Sequence, residues 1–162
     1  MKEILVFCGK SGSGKDYIPK LLNLKQCPGN TTRIPRDTDM DYTFFSKEQY
    51  EKEINKNKIV IPTNYCDNYY WTNLADFENE QFDFIVANVE GVIDLLKDVK
   101  IGKITRPIKF IYVKCSMFRR IQNMRSRGDS IKNIYKRLHN DQKDFYYAKK
   151  IIFNNKGFLL YS

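Results

Sequence analysis

The 162-residue sequence predicts an α/β fold, a parallel sheet core flanked by helices, and three observations predict it. Apolar runs at residues 3–8, 84–89 and 108–115 have the unbroken hydrophobicity of strands buried on both faces. Each is followed by a stretch with helical character, so strands and helices alternate. The first run stops at the glycines of CGKSGSGKDY, residues 8–17, as a strand does when it feeds a glycine loop and then a helix.

Taken in order, a helix is expected from about Gly14 to Asn23, with Ile18, Leu21 and Leu22 on its inner face and Pro19 in its early part. Residues 30–80 change character: they are rich in Asp, Glu, Tyr, Thr and Asn, and the alternating pieces DYTFFS and KIVIPTNY suggest short strands in an inserted, substrate-facing region. FDFIVANVEG restores the buried-strand pattern and leads into a helical VIDLLKDV, after which IKFIYVKC supplies another strand. Residues 117–127 and 130–147 read as two helices around RSRGDS, where Gly128 breaks the first and Asp129 or Ser130 caps the second. Ile131, Ile134, Tyr135, Leu138, Phe145 and Tyr146 fall near a 3.6-residue period. The tail, KIIFNNKGFLLYS, offers a last strand at 150–153. Without repeats or a linker-like segment, one domain over residues 1–162 is expected.

Composition removes several function classes. Hydrophobic residues at 42% and charged ones at 29% suit a globular chain with a sizeable core, and no run approaches the ~20 apolar residues of a membrane span. The apolar start is too short for a signal peptide, so a cytoplasmic protein without a membrane partner is expected. Cys8, Cys27, Cys66 and Cys115 lie scattered and read as free thiols, and His139 is the single histidine. Zinc sites and imidazole-based triads therefore lack their residues. The net charge of +9 is concentrated: residues 114–150 hold eleven Lys or Arg against Asp129, Asp141 and Asp144. Such a field attracts polyanions, and a nucleoside triphosphate satisfies it as well as a nucleic acid does.

Gly9, Gly14 and Lys15 satisfy GxxxxGK between a strand and a helix, the context that gives the pattern a mechanism. The backbone of Gly9, Ser11, Gly12, Ser13 and Gly14 is expected to wrap phosphates with its N–H groups, the helix start adds its dipole, and Lys15 reaches the outer phosphates. The position after the lysine usually carries a hydroxyl that ligates Mg²⁺; here it is Asp16, a hard oxygen ligand able to hold Mg²⁺ directly or through water.

The next stretch, NTTRIPRDTDMDYTFFSKEQYEKEINKNKIVIPTNYCDNYYWTN, resembles the nucleotide-binding region of guanylate kinases, whose pattern is TTR-x-PR, an acidic residue, D-Y-x-F and later Y-Y-G-[ST]. It matches at Thr31, Thr32, Arg33, Pro35, Arg36, Asp39, Asp41, Tyr42, Phe44, Tyr69, Tyr70 and Thr72, and with the GxSGSGK loop it covers most of the chain. The resemblance implies a P-loop kinase fold with a core at about 1–29, 81–116 and 138–162, a small mixed β region for the nucleoside monophosphate at about 30–80, and a helical lid at about 117–137. It implies that ATP is the phosphoryl donor, with Mg²⁺, and that Arg33, Arg36, Tyr42 and Tyr70 grip the acceptor phosphate, where forked guanidiniums and phenol hydroxyls donate to several oxygens at once. Asp39, Thr72 and Asn88 join them as substrate-binding residues, and Arg127 and Arg137 match lid arginines that act with Lys15 in catalysis. A further family lid arginine falls near Asn123, with Arg119, Arg120 or Arg125 as substitutes. IIFNN is similar to the family's VIVND segment, which implies an adenine-side contact for Asn154.

Departures bear on the acceptor. Family guanine readers, a Ser and a Glu, fall by spacing on Gly29 and Ile61, and Ile accepts nothing from guanine's N–H edge. A lost buried partner costs ~1–3 kcal/mol. Trp71 replaces a glycine and would close or reshape the base pocket, and Asn88 replaces an Asp whose charge Asp16 would restore. The expected activity is transfer of the γ-phosphoryl group of ATP to a (deoxy)nucleoside monophosphate, GMP or dGMP by family default and another base as an alternative. Ribose bisphosphate phosphokinases are similar at GxSGSGKD and at Asn88, so a sugar-phosphate kinase is a second reading, and an inactive guanylate kinase-like binding module a third. Nucleic acid is not the expected partner, because the basic residues fall where a lid needs them. A monomer or homodimer is the expected assembly.

Overall fold

The computed structural model describes residues 1–35, 42–56, 58–65, 67–146, 148–155 and 157–161. In chain order the elements are β1 (Ile4–Cys8), α1 (Ile18–Leu21), β2 (Gly29–Thr31), β3 (Tyr42–Phe44), α2 (Lys47–Asn55), β4 (Ile59–Tyr65), β5 (Asn68–Asn73), α3 (Leu74–Glu78), β6 (Phe84–Ala87), α4 (Val89–Lys100), β7 (Ile108–Lys114), α5 (Met117–Ser126), α6 (Ile131–Asp144), α7 (Ala148–Asn154) and β8 (Phe158–Tyr161). One sheet is parallel, in the order β6-β1-β7-β8, and the second is mixed, in the order β3-β2-β5-β4.

The parallel sheet forms because β1, β6 and β7 are apolar on both faces. Ile4, Val6, Cys8, Ile85, Ala87 and Phe110 pack toward Val92 and Leu95 of α4, and Phe7, Phe84 and Val113 form a second cluster. The mixed sheet joins this core through β4, whose Val60 and Ile61 belong to the larger cluster. Its far face buries Ile59 and Trp71 against Tyr50 of α2. That helix begins with a reciprocal cap: Gln49 N–H donates to Ser46 Oγ at 3.2 Å and Ser46 N–H to Gln49 Oε1 at 2.7 Å. No described helix is long and apolar enough to cross a membrane. Cys8, Cys27 and Cys115 are free thiols, and burial pushes Cys8 and Cys27 up to about 12; Cys66 lies outside the described residues.

Three local expectations require correction. The helix expected from Gly14 to Asn23 is confined to Ile18–Leu21, and Leu21 and Leu22 are exposed. Pro19 has no N–H to donate, so the chain first turns from Gly14, whose carbonyl accepts from Tyr17 at 3.0 Å and from Ile18 at 2.9 Å, and Asn23 at φ 54° ends the helix. Ile18 and Leu24 cover the sheet instead.

The strand expected at 150–153 is the helix α7. Ala148 and Ile152, four residues apart, are both buried, and this i, i+4 burial outweighs the β-branched run. The β7 edge is taken by β8, in register from Ile111 opposite Phe158 to Lys114 opposite Tyr161. On α6, Ile134 and Asp141 face inward, with Phe145 just beyond, while Ile131 and Tyr135 of the predicted periodic set, and Tyr146, point to solvent. The Trp71 ring, for its part, packs under α2 while the residue still borders the cavity described below. Side chains alternate along β5, so Trp71 shares the α2 face with Tyr69, against Tyr50 at 5.0 Å and Phe45 at 5.2 Å between ring centroids, and Tyr70 and Thr72 face the other way.

Candidate active site

The carboxyl ends of β1, β6 and β7 open on the same side of the sheet, where ligands collect in parallel α/β folds. The loop after β1 carries Gly9 to Asp16. Gly12 (φ 73°) and Gly14 (φ 86°) adopt the left-handed conformation that glycine allows. A Cβ at Gly12 would also lie 2.6 Å from the carbonyl oxygen of Arg120, so only glycine fits. Lys15 Nζ sits 3.3 Å from Asp16 Oδ2, and the Asp16 side chain is 65% exposed.

Beside this loop, toward β6, is a cavity of about 320 Å³. Asp16, Gly29, Tyr42, Ile61, Tyr70, Trp71, Thr72, Asn88 and Arg137 line it, so residues from seven separate parts of the chain meet there. Tyr42 and Tyr70 touch edge to face at 6.3 Å, and the Arg33 guanidinium lies 5.8 Å from the Tyr42 ring centre, at the rim. Asn88 Oδ1 accepts the Gly91 N–H at 2.8 Å and so starts α4 while its amide edge remains at the cavity. Arg36 and Asp39 lie outside the described residues.

A second cavity, of about 350 Å³, is bounded by Gly12, Gly14, Asp16, Tyr17, Asn123, Ser126 and Arg127. Asp16 is shared by the two, which places it between them. The arginines that the sequence singled out converge on one acid: Arg127 pairs with Asp129, and Arg137 Nε lies 3.9 Å from the same carboxylate. Asp129 thus orients both, while the cap of α6 falls to Ser130, whose Oγ accepts from the Asn133 N–H at 3.3 Å.

On the β7 side of the loop a third cavity, of about 500 Å³, is lined by Lys10, Tyr112, Cys115, Met117, Arg120, Tyr135, Leu138 and His139. Asn154 is not among its lining residues: it is the last residue of α7 and exposed, and the strand that would have led into a loop there is absent. Sequence reasoning missed Lys10, Tyr135 and His139 as lining groups. It offered Arg120 only as a substitute lid arginine and missed its pairing with Asp141, a buried ion pair behind the loop. The available signals were the Arg120–Asn123 spacing of three on one helix and an acid seven residues after the buried Ile134 in a basic helix.

The guanylate kinase family model matches residues 1–158, nearly the whole chain. The chain belongs to the guanylate kinase family. A guanylate kinase of Onion yellows phytoplasma is 29% identical over 161 residues, covering 91% of this chain and 74% of that protein. One of Mycoplasma mobile is 25% identical over 167 residues, covering 94% and 83%. The crystal structure of guanylate kinase from Anaplasma phagocytophilum superposes with a TM-score of 0.62 at 15% identity, over 99% of this chain and 77% of that one, and shares the fold. The parallel core, the mixed sheet and the recognition of the family from the phosphate loop and TTR-x-PR segment are thereby borne out.

Against the guanylate kinase pattern, two positions that line the cavity beside Asp16, Gly29 and Ile61, depart together. A Cβ at Gly29 would lie 2.9 Å from Tyr42 Cε1, so the tyrosine ring occupies the space a serine side chain would need. Ile61 sits at φ 53°, an outlier for a β-branched residue, where the register of β4 against β5 shifts between Val60 and Thr63. This bulge turns Ile61 onto Gly91, at which a Cβ would come within 2.4 Å of Ile61 Cγ2. The strain, of order 1–3 kcal/mol, is held by that contact and lines the cavity with an aliphatic group.

Proposed function

We propose that this protein transfers the γ-phosphoryl group of ATP to a nucleoside monophosphate. The single observation that carries the reading is the convergence at Asp16: the phosphate loop and Lys15 lie on one side, the Tyr42–Tyr70 cavity on the other, and Arg127 and Arg137 each border one of the two cavities that share it. Residues 30–80 serve as the acceptor region and 117–137 as the lid. Lys15 bridges the donor's outer phosphates, Arg127 and Arg137 stabilise charge on the transferring group, and Arg33, Arg36, Tyr42 and Tyr70 hold the acceptor phosphate, with Asp39, Thr72 and Asn88 beside it. The donor base takes the cavity beside β7. No side-chain base is needed, because the acceptor phosphate is already an anion and catalysis is positioning plus electrostatics.

Asp16 offers a divalent cation an exposed hard-oxygen ligand between donor and acceptor, in exchange for its present partner Lys15 Nζ at 3.3 Å. A Mg²⁺ held by Asp16 would neutralise charge on the transferring phosphates. Asp16→Asn is expected to weaken Mn²⁺ binding, read by electron paramagnetic resonance with a non-hydrolysable ATP analogue present, by roughly tenfold, the size of one charge-assisted contact. Equal affinity would remove Asp16 from this role.

GMP is the default acceptor from the family, but Gly29 and Ile61 give guanine's N–H edge no carboxylate, so a base other than guanine fits the cavity better. ADP formation from ATP and Mg²⁺ against ribo- and deoxynucleoside monophosphates and ribose 1,5-bisphosphate tests the proposal. Turnover confined to GMP or dGMP would refute the specificity argument alone. Turnover only with the sugar bisphosphate, or with no acceptor, would refute the nucleoside monophosphate kinase reading.

A further inference from the structure

Ser11, in the middle of the phosphate loop, has every polar group it owns engaged by two side chains from the helices behind it. Its N–H donates to Asp141 Oδ2 at 3.0 Å, its Oγ donates to Asp141 Oδ1 at 3.2 Å, and its carbonyl accepts from Arg120 Nε at 2.8 Å. Arg120 Nη2 closes the ring by pairing with Asp141 Oδ2. Both charged side chains are more than nine-tenths buried. Next along the loop, the Gly12 carbonyl accepts from Asn123 Nδ2 at 2.9 Å, and its Cα rests on the Arg120 backbone.

We propose that Arg120 and Asp141 are positioning residues that hold the phosphate loop in its nucleotide-binding shape and tie it to the lid helices α5 and α6. A loop with four glycines or serines in a row between Lys10 and Lys15 loses much conformational entropy when ordered, and its N–H groups serve a phosphate only if they are already aimed. A buried ion pair is a poor means of gaining stability, since desolvation offsets the attraction, so its placement on Ser11 calls for a role beyond packing. The pair also spans α5 and α6, so a displacement of either helix is felt at Ser11.

The inference rests on the phosphate loop binding ATP, and the test separates the two claims. Titration of the full chain with the fluorescent analogue mant-ATP and Mg²⁺ first establishes wild-type affinity; no binding would sink the donor reading. Asp141→Ala is expected to weaken mant-ATP binding at least tenfold and to lower the thermal midpoint, because Arg120 is left buried and unpaired. The paired replacement Arg120→Leu with Asp141→Ala removes the orphaned charge; it is expected to recover most of the midpoint and to keep the weakened binding. Recovery of both would reduce the pair to packing. Hydrogen exchange of the milder Asp141→Asn protein without nucleotide answers even if the double variant does not fold or wild-type ATP binding is absent. Faster exchange at Ser11 and Gly12 with β1 unchanged supports the proposal, and unchanged loop exchange overturns it.

Discussion

Replacing Lys15 by methionine is expected to lower the rate of phosphoryl transfer about a hundred- to thousandfold, the loss typical of one preorganised charge-stabilising group, while the thermal midpoint stays in place. The two halves of the expectation have separate causes. Lys15 has Asp16 as its ion-pair partner at 3.3 Å, and that carboxylate is mostly in water, so the pair adds little to stability. Its ammonium, by contrast, stands at the end of the loop where charge on the outer phosphates must be met. Steady-state ADP formation with the best acceptor from the panel, alongside a thermal melt, checks both. A variant that keeps a tenth or more of wild-type kcat would show that Lys15 is not at the transferring group. A large fall in the melting temperature would show that the lysine is structural.

The second large effect is on stability, and it lies far from the phosphate loop. Arg106 is 1% exposed, and its guanidinium N–H groups serve backbone carbonyls. Nε donates to Lys2 O at 2.9 Å, Nη1 to Phe77 O at 2.9 Å and Asn79 O at 2.8 Å, and Nη2 to Phe82 O at 2.6 Å and Glu3 O at 3.5 Å. One side chain thereby joins the entry to β1, the end of α3 and the turn into β6. Arg106→Met, of similar length, would leave those carbonyls without donors and is expected to cost about 3–5 kcal/mol. For a chain of this size, that is a fall of roughly 10 °C in melting temperature. Arg106→Lys, with three donors in place of five, should fall between the two. Urea unfolding followed by circular dichroism measures the difference; a loss below about 1 kcal/mol for the methionine variant would contradict the role assigned to the carbonyl cage.

The contrast between Lys15 and Arg106 also marks what sequence patterns carry. Lys15 belongs to a local signature in which spacing alone sets the geometry: nine residues from strand to helix leave the backbone few ways to present its N–H groups. Arg33, Tyr42, Tyr70 and Thr72 were legible because the family pattern names them, and the structure brings Tyr42, Tyr70 and Thr72 to one cavity with Arg33 at its rim. Arg106 belongs to no local pattern. Its partners are separated from it by 24 to 104 residues, and nothing near Thr105 or Pro107 announces them. The same holds for Arg120, which the sequence offered only as one of three substitutes for a lid arginine, and which turns inward to Asp141 and Ser11.

The misread tail and first helix have a related cause. IIF at 151–153 is a good strand by residue preference, but preference is worth tenths of a kcal/mol per residue, whereas burying Ile152 in the core is worth about 1.5–3 kcal/mol. Which face of 148–154 could be buried depended on whether the β7 edge was open, and β8 had closed it.

By itself, then, the sequence determined the α/β alternation, the parallel core strands, the phosphate loop with its aspartate, and the family, because these rest on periodicity and on short spacings that local backbone geometry obeys. Only the tertiary structure decided that the Trp71 ring faces α2, that Ile61 is bulged onto Gly91, that Asp129 gathers both lid arginines, and that a buried Arg120–Asp141 pair grips Ser11. Each of these is a choice between partners distant in the chain, made by which groups must be removed from water together, and no local pattern of residues encodes that choice.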